Sequence, residues 1–373
     1  MSGALRGIKV LDFSTLLPGP MATLFLAEAG AEVIKVERPE AGEDMRGFAP
    51  RWGSSSVNFS MLNRGKKSIA LDLKDPSEKK QIEPLLREVD VIVEQFRPGV
   101  MKRLGLDYES VKKINPKVIY CSISGFGQDG PKRGRAGHDI NYVGDAGLLS
   151  LACGTVSQPV VPPALIADIG GGSYPAIMNI LLALRERDLS GEGAYIDISM
   201  TDGVLPFLYW AIGQASLLGK NPDNGGDLVT GGSPRYQLYP TRDGKFVAAG
   251  PLETKFWFAF AAAIGLADDF IDDGKDPAQS IVEVRKIIVS RDSDYWETVL
   301  SDADCCCTIV KSVTEALADA QFRDRGVLDH LVENESGEQI LATPVPIAPF
   351  LRIQGKKSRK SPQLGEHNEE LLG

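Results

Sequence analysis

Histidine is scarce in this chain, with three among 373 residues. A metal site built on several imidazoles has little to draw on, and any histidine in a reactive setting gains weight. Spaced cysteine pairs are absent too. Of five cysteines, three are consecutive: Cys305, Cys306 and Cys307. Adjacent cysteines bridge poorly, so no disulfide framework is expected, which fits a reducing compartment and a cytoplasmic location. No CxxC or Cys/His spacing suits zinc, so no metal is expected. Nothing basic flanks the cysteine run to create a thiolate, and core filling is its expected role. Surplus positive charge is missing: 41 Lys and Arg stand against 50 Asp and Glu, for a net charge of −9. That excludes a general nucleic-acid binder but leaves room for a local basic groove. Long apolar runs are also missing. The longest, Val204 to Leu218, contains Pro206, Gly213 and Gln214, and reads as a buried helix rather than a membrane span. Met1 to Lys9 has no apolar core of a secretory signal, and the final Leu-Leu-Gly is no peroxisomal address.

The 373 residues and a 43% hydrophobic content suit two domains with a substantial core. Ile8 to Phe13 reads as a buried strand, Met21 to Ala29 as a helix after a Pro-Gly-Pro break, and Glu32 to Glu37 as the next strand. This is a βαβ unit with a parallel pair. Ser68 to Leu73, Val91 to Gln95 and Val118 to Ser122 continue as strands, with a helix over Pro76 to Val89. The alternation predicts a doubly wound α/β domain. The turn Ser14-Thr15-Leu16-Leu17-Pro18-Gly19-Pro20 lacks the GxGxxG of dinucleotide folds, although Glu37 falls where a ribose-binding acid would sit. The fold is expected to bind something other than NAD.

Further on, Tyr174 to Arg187 reads as a helix capped by Ser173. Asp168 stands just before its expected start, where amides would help keep it ionised. Ala194 to Ile198 is a strand, and glycine-rich Asn221 to Ser233 a linker or mobile loop. Tyr236 to Tyr239 and Phe246 to Ala249 form a hairpin around Asp243-Gly244. A helical pattern runs from Lys255 to about Ala320. Trp210, Trp257 and Trp296 are expected in the core.

His138, in Gly137-His138-Asp139-Ile140-Asn141-Tyr142, is the first candidate for chemistry. Alone it would be an ordinary loop histidine; its place between Gly137 and Asp139 raises the functional reading. Asp168, thirty positions on in Ala167-Asp168-Ile169-Gly170-Gly171-Gly172-Ser173, is the second, against the alternative of a helix-capping acid. Glu253 is the third, and on its own would be a solvated loop acid. An imidazole and a carboxylate beside Gly-containing backbone equip a site for proton transfer or for carboxylate attack. The run Arg64-Gly65-Lys66-Lys67 precedes a strand, Arg38 ends one, and Arg97 and Arg103 bracket Pro98 to Lys102. Several of these lie at expected carboxyl ends of strands, where open α/β sheets bind ligands. Together they suit a polyphosphate.

The chain resembles the class III CoA-transferase family, which includes alpha-methylacyl-CoA racemases. The resemblance runs through Gly7 to Phe13 with Pro18-Gly19-Pro20, then Gly30 to Pro39, Asn63 to Ser68, Arg97 to Val100, Ser124 to Gln128 and Gly365 to Asn368. It implies a large CoA-binding α/β domain over residues 1–200 and 330–373, a smaller α+β domain over 225–325, a linker helix and loop over 201–224, and an interlocked homodimer. It places CoA along Leu16, Arg38, Leu71, Asp72, Leu73, Lys74, Gln95, Phe96, Arg97, Arg103, Gly137, Asp139 and Tyr142. No cofactor is implied beyond the CoA moiety of an acyl-CoA substrate. Gly-His-Asp-Ile-Asn-Tyr looks like the racemase signature. His138 and Asp168 match its two acid/bases, and Glu253 matches the residue that orients the histidine. Amides near Gly170 and Gly171 are expected to face an enolate oxygen. The stretch Ala41 to Val57, with Glu43-Asp44-Met45-Arg46-Gly47, is transferase-like instead, and Ser233-Pro234-Arg235-Tyr236 departs from the racemase pattern. In a transferase Asp168 would be a nucleophile and His138 would not be needed.

Overall fold

Six short apolar runs become strands: β1 (Lys9–Asp12), β2 (Glu32–Glu37), β3 (Lys67–Ala70), β4 (Val91–Glu94), β5 (Ile119–Ser124) and β6 (Ala194–Ser199). In the computed structural model, which describes residues 3–355 and 358–373, they form one sheet. Met1 and Ser2, heading the stretch read for a signal, and Lys356 and Lys357, within the expected large domain, lie outside the described residues. The strand order is β3-β2-β1-β4-β5-β6 and each neighbouring pair is parallel. β4 and β5 are buried along their whole length, as parallel strands covered on both faces must be. The order reverses between β1 and β4. The loops leaving those strands run in opposite directions and open a crevice at their carboxyl ends.

The carboxyl end of β1 is charged rather than apolar. Lys66 lies 3.0 Å from Asp12 and also donates to Pro20 O, Thr23 Oγ1 and Asn63 Oδ1. Lys35 donates to Ser14 O at 2.8 Å and sits 3.5 Å from Glu43, whose Oε2 accepts the Leu16 amide at 2.9 Å. Burial would raise the Asp12 carboxyl, but Lys66, Lys35 and the Ser14 and Thr23 hydroxyls hold it far below the ordinary carboxylate range. Burial lowers the Lys66 ammonium to about 8 against the pull of Asp12. The turn from Ser14 to Pro20 is thereby held at several atoms. Leu16 is kept at φ 61°, which leucine rarely adopts, and a Cβ on Gly19 would stand 2.1 Å from the Ser14 side chain. Glu37, the expected ribose acid, is instead buried against the Arg46 guanidinium at 2.7 Å and accepts from Ser68.

The tail returns to β3, the edge strand. Asn368 Oδ1 accepts the Ala70 amide at 2.8 Å, and His367 Nδ1 accepts that of Ser68 at 3.2 Å. Side chains of the Gly-Glu-His-Asn motif thus cover backbone that an edge would leave unpaired.

Contacts divide the chain into two units: Met1–Ala146, Ala164–Pro206 and Gln321–Gly373 make one, Gly147–Pro163 and Phe207–Ala320 the other. Residues 147–163, expected in the large domain, group with the second unit. Asn224 accepts from the Cys153 amide and donates to Gly154 O, and the Gly225 amide donates to Leu151 O. The second unit holds an antiparallel sheet of β7 (Gln237–Pro240), β8 (Phe246–Ala249) and β9 (Cys307–Ile309), with β8 central. Helices Thr254–Ile264, Pro277–Ile288 and Ser293–Ala303 close its core around Trp257, Phe260, Trp296 and Cys305.

Several elements differ from expectation. The helix expected over Pro76 to Val89 is two helices, Pro76–Gln81 and Glu83–Glu88, because Pro84 has no amide to continue the first. The stretch from Val204 is not one buried helix. A 3₁₀ segment, Asp202–Leu208, contains Pro206, and the α-helix begins at Tyr209. Tyr209 and Leu217 are exposed and Trp210 is only half-buried. The helical pattern after Lys255 is broken by β9, since β8 offers an unpaired edge there. Ser173 does not cap a helix: its backbone is already helical, and its hydroxyl donates to Pro18 O at 2.8 Å.

Replacing Lys66 by Met would strip Asp12 of a buried counter-charge, and should cost about 3–5 kcal/mol in urea unfolding. A loss under about 1 kcal/mol would show that Lys35 alone neutralises Asp12.

Candidate active site

Two clefts open at the reversal point. The first, of about 680 Å³, is lined by Arg38, Leu71, Asp72, Leu73, Lys74, Phe96 and Arg103, all candidates from the sequence, together with Lys79 and Asp44. Arg38 is paired with Asp44. The second, of about 490 Å³, is lined by Leu16, Gln95, Phe96, Arg97, Gly137, His138, Tyr142 and Asp168. Thr15 and Phe96 belong to both, so the clefts share a wall. The Gln95 side chain fixes that wall to the β1 turn by accepting the Gly19 amide at 2.9 Å.

Thr15, Lys79, Arg133, Arg135 and Met200 also stand on these walls and are not among the candidates from the sequence. Arg133 and Arg135 carried a signal: a basic, Gly-containing loop directly before His138. Met200 carried none, because only the end of β6 brings it there. Gly170 and Gly171, expected to offer amides to the cleft, are not among its lining residues. Glu253 belongs to the second unit, at the N-terminus of helix Thr254–Ile264.

His138 and Asp168 reach the cleft from different elements. His138 stands at the N-terminus of helix α2 (Asp139–Asp145) with its ring exposed. Its amide donates to Asn141 Oδ1 at 3.0 Å, and its carbonyl accepts from the Asn141 amide at 2.8 Å. Asp168 lies inside a π-helical segment, Ile166–Ser173, that runs straight into helix α3 (Tyr174–Ser190). The three glycines suit this wide turn. A Cβ on Gly171 would meet Met200 O at 2.3 Å, and one on Gly203 would meet Gly171 O at 2.2 Å. The backbones approach too closely for side chains.

Asp139 does not line the cleft. It is buried behind it, where its Oδ1 accepts the Asp168 amide at 2.9 Å. Two carboxylates are thus held together. Burial, and then the Asp139 charge, push the Asp168 carboxyl up to about 6, while His138 pulls the other way. This reverses the expectation that nearby amides keep Asp168 fully ionised: it sits within a helical turn, not at an open helix start. Tyr142 fills the space left by two glycines. A Cβ on Gly125 or Gly137 would lie 2.4 or 2.7 Å from its ring. Its hydroxyl donates to Gly137 O, and Phe126 packs edge-on at 5.3 Å. Burial, then Asp168, raise its phenol, which stays a neutral donor.

The cleft therefore combines an imidazole with a carboxyl that titrates close to neutrality, the pairing that general acid–base work requires. If Asp139 sets that property, Asp139→Asn should keep the acceptor for the Asp168 amide and remove the charge. The Asp168 midpoint should fall from about 6 toward the usual 4 in a carboxyl NMR titration. An unchanged midpoint would leave burial as the sole cause.

The description CoA-transferase family III matches residues 5–368 of the chain. An alpha-methylacyl-CoA racemase of Mus musculus is 36% identical, covering 99% of this chain and 92% of the relative. A succinate–glutarate CoA-transferase of Agrobacterium fabrum is 35% identical, covering 99% and 94%. The crystal structure of a CAIB/BAIF family protein from Brucella suis superposes with a TM-score of 0.84 at 29% identity, covering all of both chains. No helix among the described residues is long and apolar enough to cross a membrane.

Proposed function

This chain belongs to CoA-transferase family III, and from that premise we propose that it racemises or epimerises the α-carbon of 2-methyl-branched acyl-CoA thioesters by two-base proton transfer. The observation that carries this reading is the meeting of His138 and Asp168 in one cleft, with Asp168 poised at about 6. The phosphates of CoA would lie in the first cleft against Arg38, Lys74 and Arg103, and its thioester in the second. The α-hydrogen of a thioester is weakly acidic. One group removes it from one face and the other returns a proton to the opposite face. His138 and Asp168 exchange these roles with the hand of the substrate. A carboxyl with its midpoint near neutrality can do both, since each protonation state is accessible. Tyr142 shapes the wall, and Asp139 holds Asp168 in place. Glu253 is assigned the role of orienting His138 on sequence resemblance. Exposed Tyr174, Met178, Leu182 and Leu189 on α3 favour a homodimer that covers them.

A second reading is CoA transfer between carboxylic acids, favoured by the transferase relative and by the transferase-like stretch around the 3₁₀ segment Asp44–Gly47, whose Arg46 is buried against Glu37. Asp168 would attack the acyl-CoA carbonyl and expel CoA thiolate to leave a mixed anhydride. The thiolate would then attack the Asp168 carbonyl, releasing the donor acid and forming an aspartyl-CoA thioester, from which the same steps in reverse pass CoA to the acceptor acid. Hydroxylamine after acyl-CoA addition would trap that intermediate at Asp168.

The deciding experiment incubates the protein with a single-handed 2-methylacyl-CoA in deuterated water and no acceptor acid. Deuterium should enter the α-position as stereochemical purity is lost. His138→Ala should slow this exchange about 10²–10⁴-fold and leave CoA affinity within a few-fold. Exchange at the wild-type rate in that variant would defeat the two-base mechanism, whereas no exchange in the wild type with trapping at Asp168 would replace racemisation by transfer.

A further inference from the structure

Glu94 ends β4, the otherwise apolar strand whose loop forms the shared wall of the clefts. It is 4% exposed. Its Oε2 accepts the Phe96 amide at 2.8 Å, and it bonds the Ser122 side chain on β5. Ser122 Oγ in turn accepts from the Tyr195 hydroxyl at 3.3 Å. The titratable groups facing Glu94 are Asp197 and Tyr195 on β6 and Tyr120 and Cys121 on β5. On its other side β4 meets β1 through backbone, with the Phe13 amide on Val93 O. Among the described residues no cation neutralises this carboxyl.

An unpaired buried carboxylate keeps its proton longer than an exposed one. Burial pushes Glu94 up to about 7, against the Ser122 and Phe96 hydrogen bonds and with Asp197 adding. The proton is thus fully held below the unfolded value near 4.3 and given up as pH rises through about 7. Two residues on, Phe96 lines both clefts, with Gln95 and Arg97 beside it in the second. A polyanion settling against that wall adds negative potential where Glu94 already lacks a counter-charge.

We propose that Glu94 is a positioning residue for the ligand clefts, taking up a proton when an anionic nucleotide thioester binds and, through the Phe96 amide, holding the Gln95–Phe96–Arg97 wall in its binding form. This rests on the assignment of the clefts to CoA. It concerns the charge state of a buried group that touches neither substrate nor reacting atoms.

The test is calorimetry with CoA, which has no acyl group to react, at pH 7 in two buffers of different ionisation heat. With Glu94 half-protonated near pH 7, the wild type should take up as much as about half a proton more than Glu94→Gln on binding. The ligand's own phosphate titration cancels in that difference. Wild-type affinity should also weaken between pH 6 and 8 more than that of Glu94→Gln, a change that a merely structural role would not produce. Equal proton uptake in both proteins would overturn the proposal while leaving the CoA assignment intact. Absence of CoA binding to the wild type would overturn the assignment and the proposal together. If Glu94→Gln fails to fold, the wild type labelled with ¹⁵N-phenylalanine decides. The Phe96 amide shift should move with a midpoint near 7 that rises on adding CoA, and a midpoint unmoved by CoA would sink the idea.

Discussion

The buried charge cluster at the carboxyl end of β1 is what the ligand clefts depend on. Asp12, Lys66, Lys35 and Glu43 have almost no access to water. Desolvating four charges is costly, and only mutual pairing with saturated hydrogen bonds offsets it. The cluster meets that condition by consuming polar groups of the turn: Ser14 O, the Leu16 amide, Pro20 O and the Thr23 hydroxyl. The turn therefore has little freedom to relax. Its Thr15 and Leu16 are delivered to the cleft walls in a geometry that leucine would not choose alone.

A second use of unfavourable electrostatics appears at Asp168. Side-chain hydrogen bonds usually hold a carboxylate ionised. Here Asp139 takes up the backbone amide of Asp168 and leaves the Asp168 carboxyl facing a like charge from a half-buried position. One neighbour thus fixes the placement of Asp168 and adds to the effect of burial on its proton affinity. Glu94 shows the same logic one strand away: its hydrogen bonds come from an amide and a hydroxyl, not from a cation.

Much of this was legible in the chain. Short apolar runs located all six strands of the parallel sheet within a few residues, because strands buried on both faces have little choice but continuous apolar runs. The missing glycine fingerprint turned attention from dinucleotides to the basic positions near strand ends. His138 and Asp168 stood out because a rare imidazole and an acid were each set beside glycines. The failures have particular causes. The apolar content from Val204 points to burial, whereas Pro206 splits the segment and Tyr209 and Leu217 face solvent. The local pattern around Cys307 is helical, but pairing with Ala249, far away in sequence, makes it strand.

The sequence by itself determined the alternation of strands and helices and the family, and it singled out His138 and Asp168 as candidates, since these rest on local pattern and residue chemistry. Only the tertiary structure decided how those residues behave. That Asp139 lies behind the cleft and grips Asp168, that Glu37 is bound to Arg46 instead of facing a ribose, and that Glu94 has no cation beside it all follow from contacts between segments distant in the chain. Proton affinity depends on burial and on the sign of the nearest charge, and neither quantity exists until the chain has folded.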